Sequence, residues 1–272
     1  MSLVFGHRGA SAQLPEHTLE AYQEAIAQGV DGLECDVRLT RDGQLVCVHD
    51  ALIDRTSNGR GRVSSYTLAE LDRYEYSSWK TGRPGKPGVL TLDHLIITAL
   101  SAGRPLRLLI ETKHPSRFGS QVEERLVSLL RRYGLTTPAG AAETGVSVTV
   151  MSFSPLAVRR VRALAPEVPV VFLFELLPPS LRDGRAPFGA TALGPGLSAV
   201  RARPDLVARA HEKGSPVYVW TVNEASDIEL MLSLGVDGII SDRPADVVRR
   251  LRQGKPERGQ ERGQEGEQER RQ

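Results

Sequence analysis

A chain of 272 residues, 40% hydrophobic and 25% charged, can bury a sizeable core without disulfide staples. Its net charge of +2 gives no nucleic-acid footprint, and no apolar run approaches the ~20 residues of a membrane helix. The start, Met-Ser-Leu-Val-Phe-Gly-His-Arg-Gly, lacks a basic segment leading into an apolar run, so no signal peptide is expected; Cys35 and Cys47 are read as reduced thiols of a cytoplasmic protein.

Leu3 to Gly6 reads as a buried strand that ends in His7-Arg8-Gly9. A helix is expected from Glu16 to about Gln28, with Leu19, Tyr22, Ala25 and Ile26 at helical spacing. Asp31 to Val37 is the second strand. Asp42-Gly43 signals a hairpin. With those two as the loop, Arg41 faces Gln44, and His49 falls opposite Asp36, on the face that Glu34 shares. Residues 51–90 are irregular and rich in Gly and Pro, with a short helix from Thr67 to Tyr74, and read as an excursion from the scaffold.

Beyond it a helix runs from Thr91 or Asp93 to Ala102, and a strand from Arg107 to Glu111. A helix follows from Ser120 to Tyr133, then a strand from Val146 to Met151, a helix from Pro155 to Leu164 and a strand from Val170 to Phe174. Residues 175–195 are poorly patterned, and a short strand is expected at Leu197 to Val200. Pro204 to Lys213 and Ala225 to Leu234 read as helices, Val217 to Thr221 and Asp237 to Ile240 as strands, and Ala245 to Arg252 as a closing helix. The tail, 253–272, holds five basic and five acidic residues and no large apolar side chain, so disorder is expected there.

Leaving aside the return strand of the hairpin, eight strands alternate with helices. That is the pattern of an α/β TIM barrel over residues 1–252, with 51–90 as a small insertion after the second strand. Active sites in that fold sit at the C-terminal ends of the strands. The polar residues there are His7, Arg8, Glu34, Asp36, Glu111, Lys113, Ser152, Phe153, Trp220, Asn223 and Asp242. Glu34, Asp36 and Glu111 offer hard oxygen donors, which suit Ca²⁺ or Mg²⁺ better than zinc. His7 and His49 suit an acid–base pair. Arg8 and Lys113 add the fixed positive charge that a phosphate group needs. Asp50 is expected to orient His49 or to end a strand, not to bind metal, and His17, His94, His114 and His211 read as surface or capping residues.

The chain resembles the glycerophosphodiester phosphodiesterase family. The matching pieces, in the family's order, are Gly-His-Arg-Gly at 6–9, Pro-Glu-His-Thr at 15–18, Glu-Cys-Asp-Val at 34–37, Thr-Arg-Asp-Gly at 40–43 and His-Asp at 49–50. They continue with Ile-Glu-Thr-Lys at 110–113, Ser-Phe at 152–153, Trp-Thr-Val-Asn at 220–223 and Val-Asp-Gly-Ile-Ile-Ser-Asp at 236–242. The resemblance implies a TIM barrel and a divalent cation on Glu34, Asp36 and Glu111. It implies His7 and His49 as the catalytic pair, Arg8 and Lys113 on the phosphate, and Phe153 and Trp220 lining the alcohol side. The family usually has Asn where His17 stands, so altered hydrogen bonding near His7 is expected. His114-Pro115 also departs from the pattern, at the rim.

The implied activity is metal-dependent hydrolysis of a small-molecule glycerophosphodiester to glycerol 3-phosphate and an alcohol. The alternative is a phospholipase C-like or lysophospholipase D-like barrel acting on inositol lipids or lysolipids. A barrel that only binds phosphorylated ligands would need neither histidine.

Overall fold

The computed structural model describes residues 2–253, so the tail expected to be disordered lies, but for Gln253, outside the described residues. Nine strands make one sheet: β1 Leu3–His7, β2 Gly32–Leu39, β3 Leu45–Cys47, β4 Leu106–Thr112, β5 Val146–Ser152, β6 Val170–Phe174, β7 Ala192–Pro195, β8 Tyr218–Val219 and β9 Gly238–Ser241. Eight are parallel, in the order β7-β6-β5-β4-β2-β1-β9-β8, and β3 pairs with β2 alone. Bridges Leu193–Val217 and Gly196–Trp220 join β7 to β8 and close the circle. This is the expected TIM barrel.

Strand alternation sorts the core into two layers. Phe5, Leu109, Met151, Val171, Leu173, Ala192 and Ile240 pack inside the barrel. Leu33, Cys35, Val37, Leu108, Ile110 and their counterparts face the helices. Cys35 and Cys47 sit in this outer layer as free, buried thiols.

The helices at Pro155–Leu164 and Ala225–Leu234 fall where the periodicity puts them. Two short helices, Ser78–Thr81 and Pro138–Thr144, were not legible. The sixth barrel strand is Ala192–Pro195, and the expected strand at Leu197–Val200 is part of the helix Leu197–Ala202. Gly194 explains the misreading. A Cβ there would come within 2.5 Å of Leu173 Cδ2 and 2.8 Å of Val171 Cγ1, so glycine lets these side chains fill the barrel at a place where the sequence suggests a turn.

The hairpin also departs from expectation. Leu39 pairs with Leu45, and the Thr40 amide donates to the Gln44 carbonyl at 3.0 Å, leaving Arg41-Asp42-Gly43 as a three-residue loop. Gly43 supplies the left-handed position, φ +76°, that such loops demand. The register therefore moves by one, and Asp36 faces Val48, whose amide donates to the Asp36 carbonyl at 3.1 Å. His49 lies beyond the end of the ladder at Cys47, where strand alternation no longer fixes its side.

The insertion has a small core of its own, Ile53, Val63, Leu71, Tyr76 and Val89, continuous with Val46 and Val48 of the return strand. It thus stands on the hairpin at the C-terminal end of β2.

Candidate active site

Parallel strands bring the acidic residues together by register. Asp36 pairs with Glu111 between β2 and β4, and His7 with Glu34 between β1 and β2. Glu34, Asp36 and Glu111 are 2%, 1% and 8% exposed, yet each offers an oxygen within 4.8 Å of the other two. Three buried carboxylates at that spacing could hold a divalent cation.

Their electrostatics are unequal. Burial, reinforced by the charge of Asp36, pushes Glu34 well above the usual carboxylate range. The same two causes raise Glu111 to about 8, although Lys113 opposes them. Burial also acts on Asp36, but the His17 hydrogen bond and the charges of Arg8 and Lys113 outweigh it and hold Asp36 well below its ordinary value. With protein cations alone, two of the three acids are driven toward the neutral form; the donor set is short of positive charge and fits a metal ion.

The cations come from two strand ends. Lys113 Nζ lies 2.8 Å from Glu111 and 3.3 Å from Asp36. Arg8 Nε lies 3.0 Å from Asp36 Oδ2, and its Nη1 donates to Glu16 at 3.1 Å. Arg8 is aimed by an unusual backbone, φ +56°, with its amide bonded to the Glu34 carboxylate at 3.0 Å. The next residue must be glycine. A Cβ at Gly9 would sit 2.6 Å from the Ala21 carbonyl carbon, because the loop lies directly on the helix Leu19–Ala27.

Both expected catalytic imidazoles reach the mouth, and each leans on a carboxylate through Nδ1. His7 Nδ1 is 2.6 Å from Asp242 Oδ1, and His49 Nδ1 is 2.6 Å from Asp50 Oδ1. That fixes Nε2 of each ring as the atom left for chemistry. His7 Nε2 is 3.9 Å from Glu34 Oε2. Burial and the charges of Arg8 and Lys113 lower the His49 pKa, against the pull of Asp36. Asp242 is itself held by Ser11 and Asn223 at 2.8 and 2.7 Å. Asn223 in turn accepts from the Asp242 amide, so it is a brace for this end of the site. Ser152 is spent on the Thr112 carbonyl and serves the scaffold.

Phe153 and Trp220 meet edge to face, with ring centroids 5.4 Å apart and planes at 83°. Trp220 is fixed by its indole N–H on the Gly194 carbonyl at 2.9 Å, whereas Phe153 is largely exposed.

Three site residues escaped the sequence reading. His17 is not a surface residue. It is 6% exposed, with Nε2 3.0 Å from Asp36 Oδ2 and Nδ1 2.8 Å from the Tyr22 hydroxyl. Its altered hydrogen bonding thus falls on Asp36. The signal was its place just before Thr18, which caps the helix and directs it back under β2. Glu16 and Arg55 were missed as well. Arg55 donates to both Glu16 oxygens at 2.8 and 2.7 Å and to Asp50 at 2.6 Å. It therefore ties Arg8, through Glu16, to His49, through Asp50. An arginine in an unpatterned insertion carries no sequence signal for that.

The profile of the glycerophosphoryl diester phosphodiesterase family matches residues 7–246. The chain belongs to that family. It is a glycerophosphodiester phosphodiesterase. A Mycobacterium tuberculosis protein named "Probable glycerophosphodiester phosphodiesterase 1" is 46% identical over 257 residues, covering 93% of each chain. A glycerophosphodiester phosphodiesterase of Caldanaerobacter subterraneus is 31% identical, over 93% of this chain and 99% of its own. The solved structure of an Oleispira antarctica phosphodiesterase in complex with the product sn-glycerol-3-phosphate superposes with a TM-score of 0.80 at 25% identity, covering 93% and 97% of the two chains. Among the described residues no helix is long and apolar enough to cross a membrane.

Proposed function

We propose that this phosphodiesterase cleaves glycerophosphodiesters to sn-glycerol 3-phosphate and an alcohol, with His7 and His49 as the acid–base pair and a divalent cation, Ca²⁺ or Mg²⁺, on Glu34, Asp36 and Glu111. The observation that carries it is two carboxylate-braced histidines beside three buried acids whose spacing suits one ion. When bound, the ion supplies positive charge that polarises a nonbridging phosphate oxygen.

Arg8 and Lys113 take the remaining phosphate charge and orient the diester. One imidazole accepts, at Nε2, the proton of the attacking hydroxyl as its oxygen bonds to phosphorus. The other, starting protonated, gives its Nε2 proton to the alkoxide as the second P–O bond breaks. If the attacker is the glycerol 2-hydroxyl, the first product is a cyclic phosphate, and water opens it with the two histidines in exchanged roles. Asp242 and Asp50 hold the rings in the required tautomer and stabilise each while it is charged. Phe153 and Trp220 cover the carbon skeleton of the substrate and keep water from that flank.

The test is release of glycerol 3-phosphate from several diesters, a lysolipid included, with and without Ca²⁺ and Mg²⁺. His7→Ala and His49→Ala should each lower kcat by about a hundredfold or more. Unchanged turnover in either variant, or full activity after thorough chelation, would refute the assignment. A substrate lacking the 2-hydroxyl should be inert if the cyclic route operates.

A further inference from the structure

Beside the mouth lies a second cavity, of about 350 Å³, between the end of β2, the turn at Val63–Ser65 and the loop after β4. Arg38, Arg62, Lys113 and Arg117 line it, and no Asp or Glu does. Ser64 and Ser116 add hydroxyls. Lys113 belongs to both spaces, because its ammonium sits on Asp36 and Glu111. Arg38 is anchored to the site by two bonds to the His49 carbonyl, at 2.9 and 2.7 Å.

The outer two arginines set this cavity apart. Some exposed arginines are matched to acids, as in Arg41–Glu70 and Arg132–Asp93, and others, such as Arg73, Arg83 and Arg185, stand on the surface without an ion pair among the described residues; Arg62 and Arg117 differ in facing one cavity that two further cations line. Among the described residues Arg62 and Arg117 form no ion pair and donate no side-chain hydrogen bond. Lys113 is already matched by Asp36 and Glu111, but Arg62 and Arg117 beside Arg38 have no acid of their own in the cavity, and an anion bound among them relieves their repulsion. The space suits a phosphate group with a few carbons.

We propose that this cavity binds an anionic group, a phosphate monoester above all, carried on the alcohol half of the substrate. The proposal rests on the reading of the active site, since it places the phosphodiester on the far side of Lys113. Glycerol bears no second charge, so the anion must belong to the other half. The glycerol end then lies toward Phe153 and Trp220, the reverse of the side that the family resemblance implies for the alcohol.

Two diesters of one alcohol, ending in a phosphate monoester or in a hydroxyl, make the test. Wild type should favour the phosphate-ended diester by about tenfold in kcat/KM at low salt, because two of the arginines are exposed and screened. Arg62→Ala with Arg117→Ala should bring the ratio to about one, and Glu at both positions should invert it. Thermal melting confirms that the variants fold. An indifferent wild type, or an unchanged ratio in the double variant, overturns the proposal. So does inorganic phosphate that speeds turnover of the hydroxyl-ended diester, which marks an effector site instead. If wild type turns over neither diester, the active-site reading fails. Calorimetric titration with the phosphorylated alcohol alone then still decides the cavity: binding weakened about tenfold in the double variant supports it, and equal binding sinks it.

Discussion

Loading the metal-free protein with Ca²⁺ or Mg²⁺ at different pH tests the carboxylate cluster without reference to turnover. Burial and Asp36 hold Glu111 near 8, so between its unfolded value and that point the folded chain keeps a proton which the unfolded chain gives up. A ligand must shed that proton. Two units below its pKa, at about pH 6, the cost is about 3 kcal/mol, or a hundredfold in affinity. Affinity should therefore rise about tenfold per unit from about pH 5.5 to 7.5 for the one proton of Glu111 and level off above about 8. Glu34, raised by the same causes, steepens the climb. Without metal the sign reverses: the proton-bound folded state is favoured, so this contribution to stability is complete below the ordinary glutamate value and fades as pH climbs through about 8. Titration calorimetry in two buffers of different ionisation heat counts the protons released, and at least one per ion is expected near pH 6.5. Affinity that is flat with pH, with no proton released, would refute the reasoning; so would undiminished binding by Glu111→Gln.

Arg55→Ala should cost about 1–2 kcal/mol in thermal unfolding, discounted because the guanidinium is nearly half exposed, and should lower kcat more than it raises KM as Asp50 loses a brace. Arg55→Lys should not rescue it, since a single ammonium cannot span both carboxylates. Glu16 and Asp50 are both held down to about 2, where burial is outweighed by Arg55 with Arg8 or His49. Their contribution is present above their ordinary values and lost as pH falls from about 4 to 2, so an acid titration of the melting point should drop in that window and drop less in Arg55→Ala. His17→Ala should weaken metal binding about tenfold, whereas His17→Asn, which keeps a donor for Asp36, should stay within about threefold; equal losses would deny His17 its role in positioning Asp36.

The barrel was legible because eight units repeat the strand–helix alternation and their polar strand ends converge only in a closed sheet. The exceptions have local causes. Ala192–Pro195 carries Gly and Pro that read as a turn, and only the neighbouring Leu173 and Val171 side chains reveal why glycine is needed. Asp42-Gly43 announces a hairpin but does not distinguish a two-residue loop from a three-residue one, and the register moved by one accordingly. His49 still reaches the mouth because it follows the last paired residue, where Arg38 and Asp50 set its position instead of the pleat. Acids aligned by parallel register were foreseeable from strand ends. Glu16, His17 and Arg55 act from loops, whose course depends on contacts far away in sequence.

The insertion that bears Arg55 and Arg62 stands on one hairpin, carries its own apolar centre and reaches the loop after β1 through Arg55 on Glu16. Such a roof is a separable module. Exchanging residues 56–90 between relatives would redraw selectivity for the departing alcohol while His49, Asp50 and Arg55 stay in place with the groups of the strands, so diversification in this lineage has a ready site in that segment.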